Sequence, residues 1–152
     1  MKTKQRDTSV DGVRWALMKK FEIPFKDGKI YLRRWRVVQT PWFAVYLHTM
    51  YTGDSTPIPH NHPWPFRSFI LWGGYTERFQ RDASSPTRER HWGWLSWHRM
   101  GRQAYHSIKS LDRTPTWSLL FVGRRTGTWG FLADGRFVPY NEFDASLYED
   151  EW

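Results

Sequence analysis

The sequence predicts an all-β protein, a sandwich or barrel built from many short strands. Turn-forming residues recur at short intervals, and the runs between them are rich in β-branched and aromatic residues. Aromatic residues make up 18% of the chain, with 11 Trp, which is enough large apolar surface for a packed core. A length of 152 residues is most simply explained by one domain.

The chain begins with a polar segment, and residues 1–12 are predicted to form a flexible N-terminal arm. A single β-barrel domain is predicted over residues 13–152. At its start the run VRWALMKKF, residues 13–21, places apolar residues at helical spacing, so a short helix is expected there that ends before Pro24.

Strands are predicted for the runs between the turns that follow. The sequence Ala-Asp-Gly at 133–135 predicts a hairpin, and Lys-Asp-Gly at 26–28 predicts a similar turn before the first strand. The final segment NEFDASLYEDEW is either a short acidic helix or a tail. The predicted strand runs are KIYLRRWRVV, WFAVYLHTMY, FRSFILW, YTERFQ, HWGWLSWH, WSLLFVG, WGFLA and RFVPY.

The charge and the cysteine count limit the classes of function. A net charge of +8 favours acidic partners, but the basic residues are scattered and match no nucleic-acid-binding motif, so nucleic acid is an alternative that the sequence does not favour. Without cysteine, transition-metal ligands must be His together with Asp or Glu. No segment has the character of a secretory signal or the length of a membrane span, so we expect no membrane partner and a cytoplasmic location.

His60 and His62 are the first candidate site residues. On an extended backbone residues i and i+2 point the same way, so both imidazoles would face one point, whereas on a helix they would diverge. A divalent metal would need at least one further ligand. The candidates for it are His48, His91, His98, His106, Glu77 and Glu89.

The pair His60-Asn61-His62, with Gly73 and Gly74 after it, resembles the first motif of the cupins, which are double-stranded β-helix or jelly-roll barrels. The run GWLSWHRMGRQAYHSI is similar to the second cupin motif, with His106 two residues later than the pattern predicts. The resemblance covers roughly residues 37–122. It implies a cupin-like jelly-roll barrel in which the three histidines bind a metal.

The glutamate of the first cupin motif has no counterpart near Phe66 or Arg67, Asp54 takes the place of its leading Gly, and Arg99 replaces the Pro of the second motif. A site of three histidines without glutamate is similar to that of the cupin thiol dioxygenases, which use ferrous iron. The resemblance thus implies a mononuclear non-haem iron dioxygenase-like enzyme acting on a small polar substrate, with Fe(II) as the first choice of metal and Zn or Ni as alternatives. The other hypothesis is a non-catalytic cupin that binds a small ligand or an acidic partner. The sequence leaves open whether the protein forms a homodimer.

Further residues are assigned around the predicted metal. Glu77 is a candidate fourth ligand or general base, or else a surface partner of Arg78 or Arg88. His48 is a candidate for substrate contact, or a hydrogen-bonded histidine of the core. His98 would replace His106 as third ligand if the alignment is shifted, and His91 is expected on the surface.

Tyrosines and arginines complete the predicted site. Tyr105 is a candidate catalytic phenol and Tyr46 a candidate substrate contact, while Tyr75 could offer a phenol as well. Arg67 is assigned to the substrate because a guanidinium binds a carboxylate or phosphate as a planar fork. Two other arginines, Arg34 and Arg36, could play the same part.

Overall fold

The computed structural model describes residues 19–24 and 28–148, which form eleven strands and one 3₁₀ helix. Among these residues no helix has the length and apolar character needed to cross a membrane. The strands are β1 (Lys19–Pro24), β2 (Ile30–Gln39), β3 (Ala44–Met50), β4 (Phe66–Trp72), β5 (Tyr75–Gln80), β6 (Arg88–Trp92), β7 (Trp97–Met100), β8 (Tyr105–Leu111), β9 (Thr116–Val122), β10 (Gly130–Ala133) and β11 (Arg136–Pro139), and the 3₁₀ helix spans Ala145–Tyr148.

The strands form a jelly-roll of two antiparallel sheets and a hairpin. The larger sheet has the order β1-β2-β3-β9-β4-β7 and the smaller one the order β6-β5-β8, while β10 and β11 pair with each other. Strands that are far apart in the sequence become neighbours, as where β9 lies between β3 and β4. The prediction of an all-β jelly-roll is confirmed.

The core lies between the two sheets because one face of each strand is turned inward. In β4, for example, Phe66, Ser68 and Ile70 are buried. One buried cluster joins Leu32, Met50 and Ile70 of the larger sheet to Tyr75 and Ile108 of the smaller one.

The helix predicted for residues 13–21 is wrong where it can be compared. Lys19, Lys20 and Phe21 lie in β1, paired with β2, whose backbone groups complete the hydrogen bonds of the segment. A single short helix would lack such support. Residues 13–18, like the arm predicted for 1–12, lie outside the described residues.

Two strand predictions also need correction. The run HWGWLSWH is divided, because Trp92 ends β6 in one sheet and Trp97 begins β7 in the other, with a turn at Leu95 where φ is 61°. The segment YHSIKSL, which was not among the predicted runs, forms β8. The strand is hard to recognise in the sequence because it contains His, Ser and Lys residues, although Tyr105 to Ile108 are all buried.

The hairpin at 133–135 is confirmed. Ala133 pairs with Arg136, and Asp134 and Gly135 between them have φ values of 50° and 73°. Positive φ at both central residues is the requirement of a type I′ turn, which Asp-Gly satisfies. Of the other predicted turn, only Gly28 is described, with φ at 80°.

Candidate metal centre

Three imidazoles converge inside the jelly-roll. One ring nitrogen from each of His60, His62 and His106 lies within 4.8 Å of the other two. The ring centroids form a nearly equilateral triangle, with separations of 5.0, 4.8 and 5.1 Å. His62 Nε2 and His106 Nε2 are 2.9 Å apart.

The segment that carries the first two histidines is held in an extended form between β8 and β10. His60 exchanges two backbone hydrogen bonds with His106, of 2.8 and 2.9 Å. On the other side Asn61 binds Gly130 through both its backbone N–H and its side-chain oxygen. His60 and His62 therefore point the same way although only His60 has strand-like pairing, in a single bridge.

Glu77 lies behind His106 and fixes its orientation. Its Oε2 is 2.7 Å from His106 Nδ1, while Oε1 accepts hydrogen bonds from Arg90 and from Trp92 Nε1. Burial alone would raise the pKa of this carboxyl, but the hydrogen bonds from His106 and Trp92 lower it to about 2. An ionised Glu77 accepts the Nδ1 proton of His106, which leaves Nε2 as a lone-pair donor.

The other two imidazoles are kept neutral. Burial lowers the pKa of His60 to about 4, against the opposing influence of Asp54, whose carboxylate is 3.7 Å from His60 Nδ1. Burial and the neighbouring histidines hold the pKa of His62 well below its usual value. Neutral imidazole is the form that binds a metal.

The donor set fits a divalent transition metal. Two nitrogens that each lie about 2.1 Å from one ion are about 3 Å apart when they subtend a right angle, which is close to the separation of the two Nε2 atoms. A carboxylate behind one ligand, as at Glu77, is the usual support of a metal-bound histidine.

Two cavities meet at the histidines. The outer cavity has a volume of about 480 Å³ and is lined by apolar residues together with Arg34, Asp54 and Arg125. The inner cavity, of about 80 Å³, lies within the barrel. His60 and His62 line both cavities, and His106 lines the inner one.

No protein-family model matches the sequence, and no curated protein matches it. Solved structures do match the fold. Over 70% of its length the chain is similar in fold to the hydroxypropylphosphonic acid epoxidase from S. wedmorenis, with a TM-score of 0.53 and 13% identity. It is also similar to an oxalate decarboxylase variant from Bacillus subtilis over 82% of the chain, with a TM-score of 0.57 and 12% identity. A third structure, Streptomyces albus HEPD with 2-hydroxyethylphosphonate and Fe(II) bound, matches over 88% of the chain with a TM-score of 0.57 and 11% identity. The chain spans 55%, 32% and 30% of these three proteins.

The chain has the cupin fold. The resemblance suggested by the histidine motifs is therefore confirmed at the level of the fold. Within this cupin fold the structure also brings together the three histidines that the motifs imply as ligands.

The cupin barrel separates the other predicted site residues into two groups. Tyr46 and His48 line the inner cavity, where His48 is buried and accepts a hydrogen bond of 2.8 Å from Arg34 Nε. Arg67 and Tyr105 do not reach the site. Arg67 is exposed on the outward face of β4, and Tyr105 points away from the cavities because it precedes His106 on the same strand.

Three open alternatives are resolved by contacts. The surface reading of Glu77 is wrong, because Glu77 is fully buried and its partner is Arg90. His98 lies outside the triangle, and its Nε2 is 2.5 Å from the hydroxyl of Tyr75. His91 is exposed, as expected, and contacts Asp112 at 2.8 Å.

The sequence interpretation missed the supports of the site. Arg90 stands opposite Glu77 across the β5–β6 hairpin, so counting outward from the intervening turn would have paired them. Asp54 binds the backbone N–H of Ile108 and the hydroxyl of Tyr31, and no local pattern announces such long-range contacts.

Proposed function

We propose that the protein is a mononuclear non-haem iron enzyme with dioxygenase-like activity on a small polar molecule. The observation that carries the proposal is the convergence of three neutral or carboxylate-supported imidazoles, two of which line a cavity of about 480 Å³. Imidazole also binds Zn and Ni, which are the alternative metals. The presence of Fe(II) in HEPD and in HppE, two proteins of similar fold, supports iron.

His60, His62 and His106 would hold the ion. The chemistry that Fe²⁺ supplies when bound by three imidazoles is reaction with O₂ at the positions that the ligands leave open. The outer cavity, which His60 and His62 line, gives a small molecule access to that side of the ligand set.

The protein's own groups keep the ligands in place. Glu77 holds the His106 Nδ1 proton and so directs Nε2 into the site. Phe66 packs edge-on against His62 with a centroid distance of 4.9 Å, which restricts rotation of that imidazole. Glu77 is in this proposal a positioning residue, because both of its oxygens are already engaged.

Aromatic side chains line the entrance of the site. Trp64, Trp129 and Phe131 line the outer cavity, and the rings of Trp129 and Phe131 lie 6.4 and 6.0 Å from that of His60. Apolar walls around a metal lower the local dielectric and restrict the reaction to molecules that enter the cavity. Tyr46 and His48 on the inner side are the proposed contacts for a small substrate group.

Element analysis of protein purified without chelator tests the metal centre. We expect one equivalent of a divalent metal in the wild-type protein and its loss in His62→Ala, because two imidazoles bind far more weakly than three. His91→Ala is the matched control, since His91 is exposed and belongs to no cluster of ligand atoms among the described residues. We expect its metal content to equal that of the wild type.

The identity of the metal needs a second measurement. Anaerobic loading with Fe²⁺ followed by nitric oxide should give the electron paramagnetic resonance signal of a non-haem iron nitrosyl, and His62→Ala should not give it. Tightly bound zinc without a nitrosyl signal would contradict the iron proposal. Absence of metal in the wild type, before and after loading, would contradict the metal centre itself and favour the non-catalytic ligand-binding cupin.

A further inference from the structure

Arg34 lies beside the candidate metal ligands, and its two terminal nitrogens are unused. Its Nε donates to His48 Nε2 at 2.8 Å, and its guanidinium lies 5.1 Å from the centre of the Tyr46 ring. Within residues 19–24 and 28–148, neither Nη atom has a hydrogen-bond or ion-pair partner. Arg33 binds Glu22 and Tyr51, Arg36 binds Gln39, and Arg90 binds Glu77.

The position of Arg34 makes those free nitrogens available to a ligand. Arg34 is half-buried on β2 and lines both the outer and the inner cavity, beside His60 and His62. The hydrogen bond to His48 holds the guanidinium in one orientation, with the two Nη atoms left to form the planar fork that matches an oxyanion.

The charge balance of the outer cavity also favours an anion. Besides Arg34 the cavity contains Arg125, whose guanidinium lies 5.8 Å from the Trp64 ring. Asp54 is the one carboxylate among its described lining residues, and it already accepts the backbone N–H of Ile108 and the hydroxyl of Tyr31. The Arg34 guanidinium is half-buried and has no carboxylate partner within the described part of the chain, so an anionic ligand can form the missing ion pair.

The residues that line the outer cavity indicate the chemical character of the rest of the ligand. Trp64, Trp129 and Phe131 contribute large apolar surfaces, and Trp129 is braced by a stacked Tyr140 at 4.8 Å. A volume of about 480 Å³ is in the range of sites for ring-bearing small molecules.

We infer that the outer cavity binds a small organic oxyanion, a carboxylate or a phosphonate, with an apolar, ring-sized body. The anionic group accepts hydrogen bonds from the Nη atoms of Arg34, and the body lies against Trp64 and Trp129. The inference deepens the proposed function, on which it rests for its biological sense, by naming the class of substrate. It assigns to Arg34 the oxyanion-binding role for which Arg34, Arg36 and Arg67 were all candidates from the sequence.

Calorimetric titration of the metal-free full-length protein tests the inference. The probes are hydrocinnamate, phenylphosphonate and hydrocinnamamide, the last being the neutral counterpart of the first. We expect at least one anion to bind, and the amide to bind at least about tenfold more weakly, because it cannot form charge-assisted hydrogen bonds. The tighter of the two anions tells whether the site prefers a planar or a tetrahedral group.

Variants connect the binding to Arg34. Arg34→Gln should weaken the anion by at least about tenfold, and Arg34→Lys, which keeps the charge but loses the fork, should lie between it and the wild type. Arg67→Gln removes an equal charge from the exposed face of the same sheet and should leave binding unchanged. The circular dichroism of each variant is compared with that of the wild type, and Arg34→Lys serves if Arg34→Gln does not fold.

Three results would overturn the inference: equal binding of anion and amide, anion binding unchanged in both Arg34 variants, or no binding of any probe to the wild type. Because the titration uses no metal, its outcome is independent of the proposed function. A protein that binds the anion through Arg34 but never binds metal would refute the iron enzyme alone. A protein that binds metal but ignores Arg34 in anion binding would refute this inference alone.

Discussion

At one level of the six-stranded sheet most of the inward side chains are polar, and at the adjacent level all of the outward side chains are apolar. Paired residues on β2, β3, β9, β4 and β7 form an inner row, and the residues next to them form an outer row. The inner row is Arg36, Tyr46, Leu120, Ser68 and His98, and the outer row is Trp35, Leu47, Leu119, Phe69 and Trp97.

The difference reverses the usual distribution, in which the buried face of a sheet is apolar and the exposed face polar. Ser68 and His98 of the inner row are 1% and 3% exposed, whereas Trp97 of the outer row is 49% exposed. Burying a polar group costs free energy unless the group is hydrogen-bonded, so the inward face depends on specific partners such as Tyr75, whose hydroxyl contacts His98 Nε2. At this level of the sheet Tyr46, Ser68 and Leu120 line the inner cavity of the site, and the outward residues contribute to stability only through partial burial.

The largest effect is expected when a buried acceptor of the interior is removed. Glu77→Ala would leave Arg90, Trp92 and the Nδ1–H of His106 without their shared partner. Removing one member of a buried ion pair typically costs about 3 to 5 kcal/mol. We therefore expect a decrease of about 3 kcal/mol or more in the free energy of unfolding, measured by urea denaturation of the metal-free protein.

Glu89→Ala is the control for this prediction. Glu89 also lies in the smaller sheet and pairs with a basic residue, Lys109, but both side chains are exposed. Its removal should leave the free energy of unfolding almost unchanged. Equal losses in the two variants would show that the Glu77 cluster is accessible to water and that the contrast between interior and surface is overstated.

His98, at the end of the inner row, is expected to contribute to the pH dependence of stability. Burial, with smaller contributions from His106 and Arg90 and opposed by Glu77, lowers its pKa from 6.5 to about 4. The unfolded chain therefore binds a proton at a pH at which the folded protein does not. The stability that neutral His98 contributes is fully present above about pH 6.5 and is lost as the pH falls towards 4, by up to about 3 kcal/mol.

Urea denaturation of metal-free protein between pH 7 and pH 4 measures this loss. In His98→Asn, whose amide can still accept a hydrogen bond from Tyr75, the dependence on pH should be shallower than in the wild type. If the pH dependence of stability in His98→Asn equalled that of the wild type, His98 would not be desolvated by its position in the inner row.

The sequence predicted the parts of this arrangement that depend on local pattern. Strand alternation and Asp-Gly turn chemistry are properties of a few consecutive residues, and so the β-rich fold and the hairpin at 133–135 could be predicted. The convergence of His60 and His62 followed from their i, i+2 spacing on an extended backbone, and His106 followed from the resemblance to the second cupin motif.

The errors arose where tertiary pairing decided the outcome. The segment containing Phe21 has a helical pattern, yet it joins the sheet because β2 offers it a strand partner. The roles of Arg34 and Arg67 could not be distinguished by residue type, because only the register of β2 and β4 decides which guanidinium faces the cavities. The position of Tyr105 could not be predicted for the same reason, because it is one residue away from the inward position of His106 on a strand that was not predicted.

The smallest effect is expected on the outer row, and β7 offers a matched comparison. Trp97 is half-exposed and packs beside Phe69 and Phe121 at 5.8 and 5.5 Å, whereas Met100 on the same strand is fully buried. We expect Trp97→Gln to lower the free energy of unfolding by about 1 kcal/mol, since only part of the indole surface is removed from water. Met100→Ala should cost about 2 to 5 kcal/mol because it leaves a cavity.

Urea denaturation of both variants, with sedimentation analysis of the same samples, checks this order. If Trp97→Gln were as costly as Met100→Ala in a monomeric sample, the outer row would contribute a second core and the contrast between the two faces would fail. If the same cost came with dissociation of an oligomer, the outward face would be buried by association in solution. The apolar outer row would then follow the ordinary rule for buried surfaces, and the polar inner row alone would depart from it, as a lining for the site requires.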